Sequence, residues 1–314
     1  MESLASDLTG RHFLRVADWS AEDLTRALDL ADELKEMHSR GEEHRMVPGR
    51  TLGMIFQKPS TRTRVSFEVA MAHLGGSALY LRADDLQLGR GETLKDTATV
   101  LSRYLDAIMI RTFAQSDLQE FAAHSSVPVI NGLTDSAHPC QALADVMTIR
   151  ERLGRLKGVR LAYLGDGNNV CASLMVAAAK LGLHFVAATP PGYEPDQRAI
   201  AIAEEAAASS GGSVELSADA REAAREADAL YTDVWTSMGQ EEEREQRLRD
   251  LKGFGIDADL LRAAGSDAIV LHCLPAHYGE EISEDVLHGP RSAVWDQAEN
   301  RLHAQKALLV LVLH

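Results

Sequence analysis

The sequence predicts an α/β protein of two doubly wound domains, each with a central parallel sheet, joined by helices, with a C-terminal helix packing back on the first domain. Three observations carry this reading. Short apolar or β-branched runs alternate with segments of helical periodicity, the pattern of repeated βαβ units. At 314 residues the chain exceeds one ordinary core and suits two. The unusual polar clusters follow directly after the apolar runs, where open α/β sheets collect their ligands.

The first helix is expected to be capped by Ser20, and its apolar face carries Leu24, Leu28, Ala31 and Leu34 at three- and four-residue spacing. Strands then follow at 51–56 (TLGMIF), 77–81 (SALYL), 107–111 (AIMIR) and 127–131 (VPVIN), with helices between them, giving one parallel sheet. A helix over 140–153 leads through Gly154 and Gly158 into a second series at 160–165 (RLAYLG), 184–189 (HFVAAT), 213–217 (SVELS), 229–234 (ALYTDV) and 268–273 (AIVLHC). The Ala-rich stretch 197–209 reads as helix, whereas 240–255, charged and punctuated by glycine, reads as a mobile excursion or lid. A long helical pattern over about 295–313 has no third sheet to serve and is expected to return to the first domain. The domains are therefore expected at 1–140 with 295–314, and at 141–294.

Hydrophobic residues at 45% and charged residues at 25% are ordinary globular values, which excludes wholesale disorder. A net charge of −15 repels polyanions and argues against a nucleic-acid role, yet it leaves room for a local pocket for one small anion. Lys58, Arg62 and Arg64 form such a local cluster. The terminal ALLVLVL run is too short to span a bilayer, so no membrane role is expected. Cys140, Cys171 and Cys273 lack CxxC or Cys/His ligand spacing, and neither a disulfide framework nor a metal site is expected. MESLASDLTGRHFLRV has neither a basic segment followed by an apolar one nor the Arg-rich look of a transit peptide, so the cytoplasm is the expected compartment.

The candidate chemistry stands at the strand ends. In KPSTRTR, residues Ser60, Thr61, Arg62 and Thr63 occupy the turn from a strand into a helix, where free amides, the helix dipole and a guanidinium favour a phosphate; helix capping is the simpler use of Ser60 or Thr61. Arg111 ends a buried strand and must take its charge either into solvent or onto a partner; its position favours a partner, a bound anion or a structural carboxylate. In HPCQ, His138 can hydrogen-bond a carbonyl oxygen and Gln141 a primary amide, although His-Pro also suits a plain helix start. LGDGNNV looks at first like a dinucleotide turn, but it reads GxGxxV and no acid closes the next strand, which disfavours NAD. Asn168 there either shapes the turn or touches a ligand. DVWTSMG puts Asp233 at a strand end, where a Ser-Gly turn alone needs no acid. HCLPAH puts Cys273 at another, where a cysteine taken alone is usually a small inert hydrophobe.

STRTR, HPCQ and HCLP together resemble the aspartate and ornithine carbamoyltransferase family, and the D-x-x-x-SMG segment is similar to that of its ornithine branch. The matching segments run from Phe56 to Leu308 in family order. The resemblance implies a carbamoyl phosphate domain followed by an amino-acid domain, and transfer of the carbamoyl group from carbamoyl phosphate to the δ-amine of L-ornithine, giving citrulline and phosphate in arginine metabolism. It implies no metal or organic cofactor. Carried over residue by residue, carbamoyl phosphate would meet Ser60, Thr61, Arg62, Thr63, Gln87, Arg111, His138, Pro139, Cys140, Gln141, Cys273, Leu274 and Arg301. Ornithine would meet Asn169, Asp233, Ser237 and Met238, and the catalytic group would be Arg62, Arg111, His138, Asp233 and Cys273. In that group the resemblance implies a Cys273 thiolate that, with Asp233, orients the δ-amine and eases its deprotonation. The family's counterpart of Gln87 enters a neighbouring subunit's site, which implies a homotrimer with shared active sites, or a multiple of trimers. Three positions depart from the family pattern: Gln57 where Glu is usual, Ala172 where His is often seen, and Tyr278 where a basic residue is common.

Overall fold

The computed structural model describes residues 8–82, 86, 91–237 and 239–314. The chain divides into two compact units, one of residues up to Ala144 together with Asn300–His314, the other of Asp145–Glu299.

In the first unit, β1 (Thr51–Phe56), β2 (Ser77–Arg82), β3 (Ala107–Arg111) and β4 (Val129–Leu133) form a parallel sheet in the order β2-β1-β3-β4. Strand β4 starts two residues later than the apolar run suggests. Pro128 has no N–H for the ladder, and only its carbonyl takes part, accepting from Ile108 at 2.9 Å. The helices here are α1 (Ala21–Ser39), α2 (Thr61–His73), α3 (Leu94–Leu101), α4 (Gln115–His124) and the start of α5 (Pro139–Leu153). Ser20 caps α1 in a reciprocal box with Asp23, and the apolar face of α1 is buried as its spacing requires.

The second unit holds β5 (Arg160–Leu164), β6 (His184–Ala188), β7 (Ser213–Ser217), β8 (Ala229–Thr232) and β9 (Ile269–His272), parallel in the order β7-β6-β5-β8-β9. Its helices are α6 (Asn169–Lys180), α7 (Gln197–Ser210), α8 (Ala220–Ala224), α9 (Arg244–Asp250), α10 (Ala258–Leu261) and α11 (Glu284–Leu287). Leu164, Val186, Leu230, Trp235, Phe254 and Val270 belong to one buried cluster of this unit.

Within the stretch expected as an excursion, a 3-10 turn at Glu241–Glu243 runs into α9, a helix that sequence reading did not include. Its charge hides an inward face. Arg247 is buried, pairs with Asp166 after β5, and lays its guanidinium 5.0 Å from the Tyr193 ring centre. Burial raises the Asp166 carboxyl to about 6, and Arg247 opposes that rise. Arg247→Leu is expected to cost about 3–5 kcal/mol of stability by leaving Asp166 uncompensated. Denaturant unfolding of this variant beside an Asp166→Asn/Arg247→Leu double variant checks the cause, because the double variant should lose less.

The last helix, α12 (Val294–Leu313), completes the first unit with its residues from Asn300 onward. Val312 accepts from the Gly10 amide at 3.0 Å. Lys306 is fully buried, its ammonium donating to the Leu34 carbonyl at 3.3 Å and meeting Nε2 of His44 at 3.0 Å. Among the described residues no helix is long and apolar enough to cross a membrane.

Both sheets contain a point where the chain reverses its direction of travel. From β1 the chain goes to β2 on one side and then to β3 on the other; from β5 it goes out through β6 and β7 and returns to β8. The loops leaving two adjacent strands then turn apart, opening a crevice beyond their carboxyl ends. The first crevice is flanked by Ser60 and Arg111, the second by Asn168 and Asp233.

Candidate active site

In the first unit, Ser60 is the N-cap of α2, its hydroxyl accepting from the Thr63 amide at 3.3 Å and donating to the Thr63 hydroxyl at 3.1 Å. From α12, Arg301 donates to that same Thr63 hydroxyl at 3.2 Å and to the Gln141 side-chain oxygen at 2.6 Å. Thr63, Gln141 and Arg301 are all buried, so residues 238 positions apart in sequence form one polar set. Capping and ligand binding are compatible here, because a cap satisfies only one of the free amides of the first turn.

Arg111 is buried at the end of β3, and its carbonyl accepts from the Gln57 amide at 2.8 Å. The Gln57 side chain takes a hydrogen bond from the Thr112 hydroxyl, a use for this family departure that needs no carboxylate. His138 precedes α5. Burial, reinforced by the positive charges of Arg301, Arg111 and Arg62, holds its imidazole well below the usual histidine range. A neutral imidazole beside three guanidiniums is suited to hydrogen-bonding an anionic ligand's neutral end.

The same environment fixes a pH dependence. Because the folded-state pKa of His138 is depressed, the unfolded chain takes up a proton near pH 6.5 that the folded chain refuses, so stability falls as pH drops through that value. Urea unfolding at decreasing pH is expected to show a smaller loss in His138→Gln than in the parent chain.

Two sequence candidates have limited reach. Cys140 donates its thiol to the Asn131 carbonyl at 3.3 Å, and burial pushes it up to about 12, so a ligand could meet it only through its backbone. Pro139 opens α5 without an N–H. Gln87 and Met238 lie outside the described residues.

The second unit gathers Asn168, Asp233 and Cys273 from the ends of β5, β8 and β9. Asn168 caps α6 with its side-chain oxygen, which accepts from Val170 and Cys171 at 2.9 and 3.2 Å and from the Tyr163 hydroxyl at 3.2 Å. Its amide donates to Asp233 at 2.7 Å, so of the two readings left open the residue has the turn-shaping one, with a grip on the acid added to it. The other Asp233 oxygen accepts from the Cys273 thiol at 2.7 Å and from the Val234 amide at 2.8 Å. Gly167 is required here, since a Cβ would strike the backbone of Tyr193–Pro195. Ser237 donates its amide to Gln240 at 3.0 Å. Asn169 is the first residue of α6, and Ala172 is buried within it.

Leu274 adopts φ +59°, rare for a bulky side chain. Its amide donates to Nδ1 of His272 at 2.8 Å, which leaves the proton on Nε2, facing Glu281 at 3.1 Å. Glu281 is fully buried and also accepts from the His277 amide at 2.6 Å. Sequence reading missed this support and the Asp166–Arg247 pair, because neither shows a local spacing signal. Ligand atoms of Asp233, His272 and Cys273 lie within 4.8 Å of one another, close enough for a metal, but each already has protein partners. The third departure, Tyr278, is exposed, its hydroxyl 3.2 Å from Nε2 of His288.

Residues 11–151 match the carbamoyl-P binding domain of the aspartate/ornithine carbamoyltransferase family, and residues 157–312 match its Asp/Orn binding domain. The ornithine carbamoyltransferase of Pyrococcus horikoshii is 58% identical over 306 residues, covering 98% of this chain and 96% of its own. An anabolic ornithine carbamoyltransferase of Pyrococcus furiosus is also 58% identical, covering 98% and 97%. Among solved structures, the ornithine carbamoyltransferase of Pyrococcus furiosus superposes with a TM-score of 0.95 at 58% identity over 98% of both chains. The ornithine transcarbamoylase of Giardia lamblia reaches 0.89 at 35% identity, covering 97% of this chain and 98% of its own. With both halves matched in order and relatives this similar over nearly the whole length, the chain belongs to the aspartate/ornithine carbamoyltransferase family.

Proposed function

We propose that the protein transfers the carbamoyl group of carbamoyl phosphate to the δ-amine of L-ornithine, giving L-citrulline and phosphate for arginine biosynthesis. The observation that carries the choice of acceptor is the Asp233 carboxylate, held by Asn168 and the Cys273 thiol at the end of β8. A fixed carboxylate there suits an α-ammonium, with Asn169, Ser237 and Met238 completing the ornithine contacts.

In the first unit, Ser60, Thr61, Arg62 and Thr63 hold the phosphate, and Arg111 and His138 polarise the carbonyl. Gln141 and Arg301 set the amide end, with the backbone of Pro139, Cys140, Cys273 and Leu274 as the remaining carbamoyl phosphate contacts of this reading. The neutral δ-nitrogen attacks the carbonyl carbon, the bond to the phosphate oxygen breaks, and the nitrogen gives up a proton. Growing charge on the carbonyl oxygen and on the leaving phosphate is met by guanidinium groups, which is where such groups lower a barrier most. Carbamoyl phosphate is already activated, so positioning is the main task and no cofactor is required.

Citrulline assays with ornithine, putrescine and aspartate offered in parallel test the substrate class. Ornithine alone is expected to react; comparable turnover of putrescine, which lacks the α-carboxylate and α-amine, would remove Asp233 from its role.

The assembly we propose is a homotrimer, or a multiple of trimers, in which Gln87 and its flanking loop enter a neighbouring site. A heterologous contact of this kind closes with rotational symmetry or grows into fibres. Subunit-exchange mixing of a protein disabled at Gln87 with one disabled at Arg111 should restore about one site in four. Hybrids that form without recovered activity would place the loop in its own subunit's site. Three free cysteines, with Cys273 assigned to chemistry, fit a reducing cytoplasm.

A further inference from the structure

We propose that His38, His44 and His73 form a binding site for a divalent transition-metal ion of the zinc class, apart from the residues that handle the two substrates. They come from three elements of the first unit: the last turn of α1, the connection to β1, and the last residue of α2. One ligand nitrogen from each lies within 4.8 Å of the others. Zinc at roughly 2.0–2.1 Å from each nitrogen needs tetrahedral neighbours about 3.4 Å apart, so ring rotations that close up to about 1.4 Å complete the geometry.

Three details give the cluster the character of a site. Nδ1 of His73 is buried and has no hydrogen-bond partner among the described residues, a free imidazole nitrogen that ordinary core packing leaves unexplained. His44 is oriented through Nδ1, which lies 2.9 Å from the Glu42 carbonyl, the kind of outer contact that fixes a metal-binding imidazole. Its Nε2 therefore carries the lone pair, and that lone pair already faces a cation, the Lys306 ammonium at 3.0 Å. Lys306 has a second acceptor in the Leu34 carbonyl at 3.3 Å, on which it can remain when a metal takes the imidazole. His38 is exposed and stacks on His73 with ring centres 4.7 Å apart, so it provides both the entry path and the ring free to turn. A donor set of imidazoles without a carboxylate selects zinc, nickel or copper over magnesium or calcium.

Zinc titration by calorimetry tests this in a Cys273→Ala background, which removes the thiol from the Asp233, His272 and Cys273 group; His277, Glu280 and Glu281 form a third group, and variants at His38 and His73 tell it apart from the proposed site. The background protein is expected to bind one zinc per chain, and His38→Ala or His73→Ala in the same background to weaken it at least about tenfold. Cobalt substitution should give ligand-field absorption of an all-nitrogen site with no thiolate charge-transfer band, in the parent as well. The exposed His38 keeps the test valid if His73→Ala fails to fold. Unchanged zinc affinity and stoichiometry in folded His38→Ala, or no zinc bound in the Cys273→Ala background, would overturn the proposal.

Discussion

Arg62→Ala is expected to weaken carbamoyl phosphate binding by about 2–5 kcal/mol, roughly 30-fold to several-thousand-fold, while the fold survives. Arg62 is only half-buried in the first turn of α2, so its loss leaves no cavity in the core. The loss falls instead on the ligand, because a phosphate that keeps the helix amides but loses a guanidinium retains uncompensated charge. Thr63 and Arg301 stay paired through their own hydrogen bond, so the rest of the pocket holds its shape. Calorimetric titration with carbamoyl phosphate, with circular dichroism to confirm folding, measures the effect. Unchanged affinity in a folded variant would refute the assignment of this turn as the phosphate cradle.

Asp233→Asn and Cys273→Ala are expected to lower turnover with ornithine by roughly 100- to 1,000-fold while leaving carbamoyl phosphate affinity within a few-fold of the parent. Asp233 accepts from Asn168, Val234 and Cys273 at once. Converting it to an amide removes the negative charge that meets an ammonium and places a donor against two others. Cys273→Ala removes the thiol and leaves one Asp233 oxygen short of a partner. In the parent, the rate at subsaturating ornithine should rise with pH, since only the unprotonated δ-amine attacks. Equal losses of both ligands in binding assays would contradict the division of labour between the two units.

The strands were the most legible part of the fold, because most are short apolar runs bounded by turn residues and buried within a parallel sheet, while the edge strands β2 and β7 are only partly covered. The edges of elements were less so: Pro128 moves the start of β4, and α8, α10 and α11 span four or five residues, too few for a helical period to register. Helix α9 escaped for a different reason. Its inward residue is Arg247, and hydrophobic patterning cannot detect a helix whose anchor is an ion pair.

Within the candidate site, strand ends drew attention to Ser60, Arg111, Asn168, Asp233 and Cys273, since polar residues there are conspicuous against apolar runs, and His138 stood out through the HPCQ segment that opens a helix. What holds them was mostly illegible. The contact of Thr63 with Arg301 and the buried Glu281 behind His272 depend on how the chain returns in space, and no local spacing announces either. The three histidines proposed to hold a metal are likewise brought together from separate elements.

The discontinuity of the first unit has a consequence for synthesis. Its sheet is encoded before Ala144, but the helix segment that completes the unit begins at Asn300, and 155 residues lie between. At about 5–20 residues per second, a ribosome takes roughly 8–30 seconds to make that insert. During this interval the surfaces that later receive Val312 and Lys306 wait uncovered, while the whole of the second unit emerges. The usual order of vectorial folding is thereby reversed: the half begun first is the last to close, and a nascent chain stalled beyond Glu299 would present a finished second unit beside an open first one.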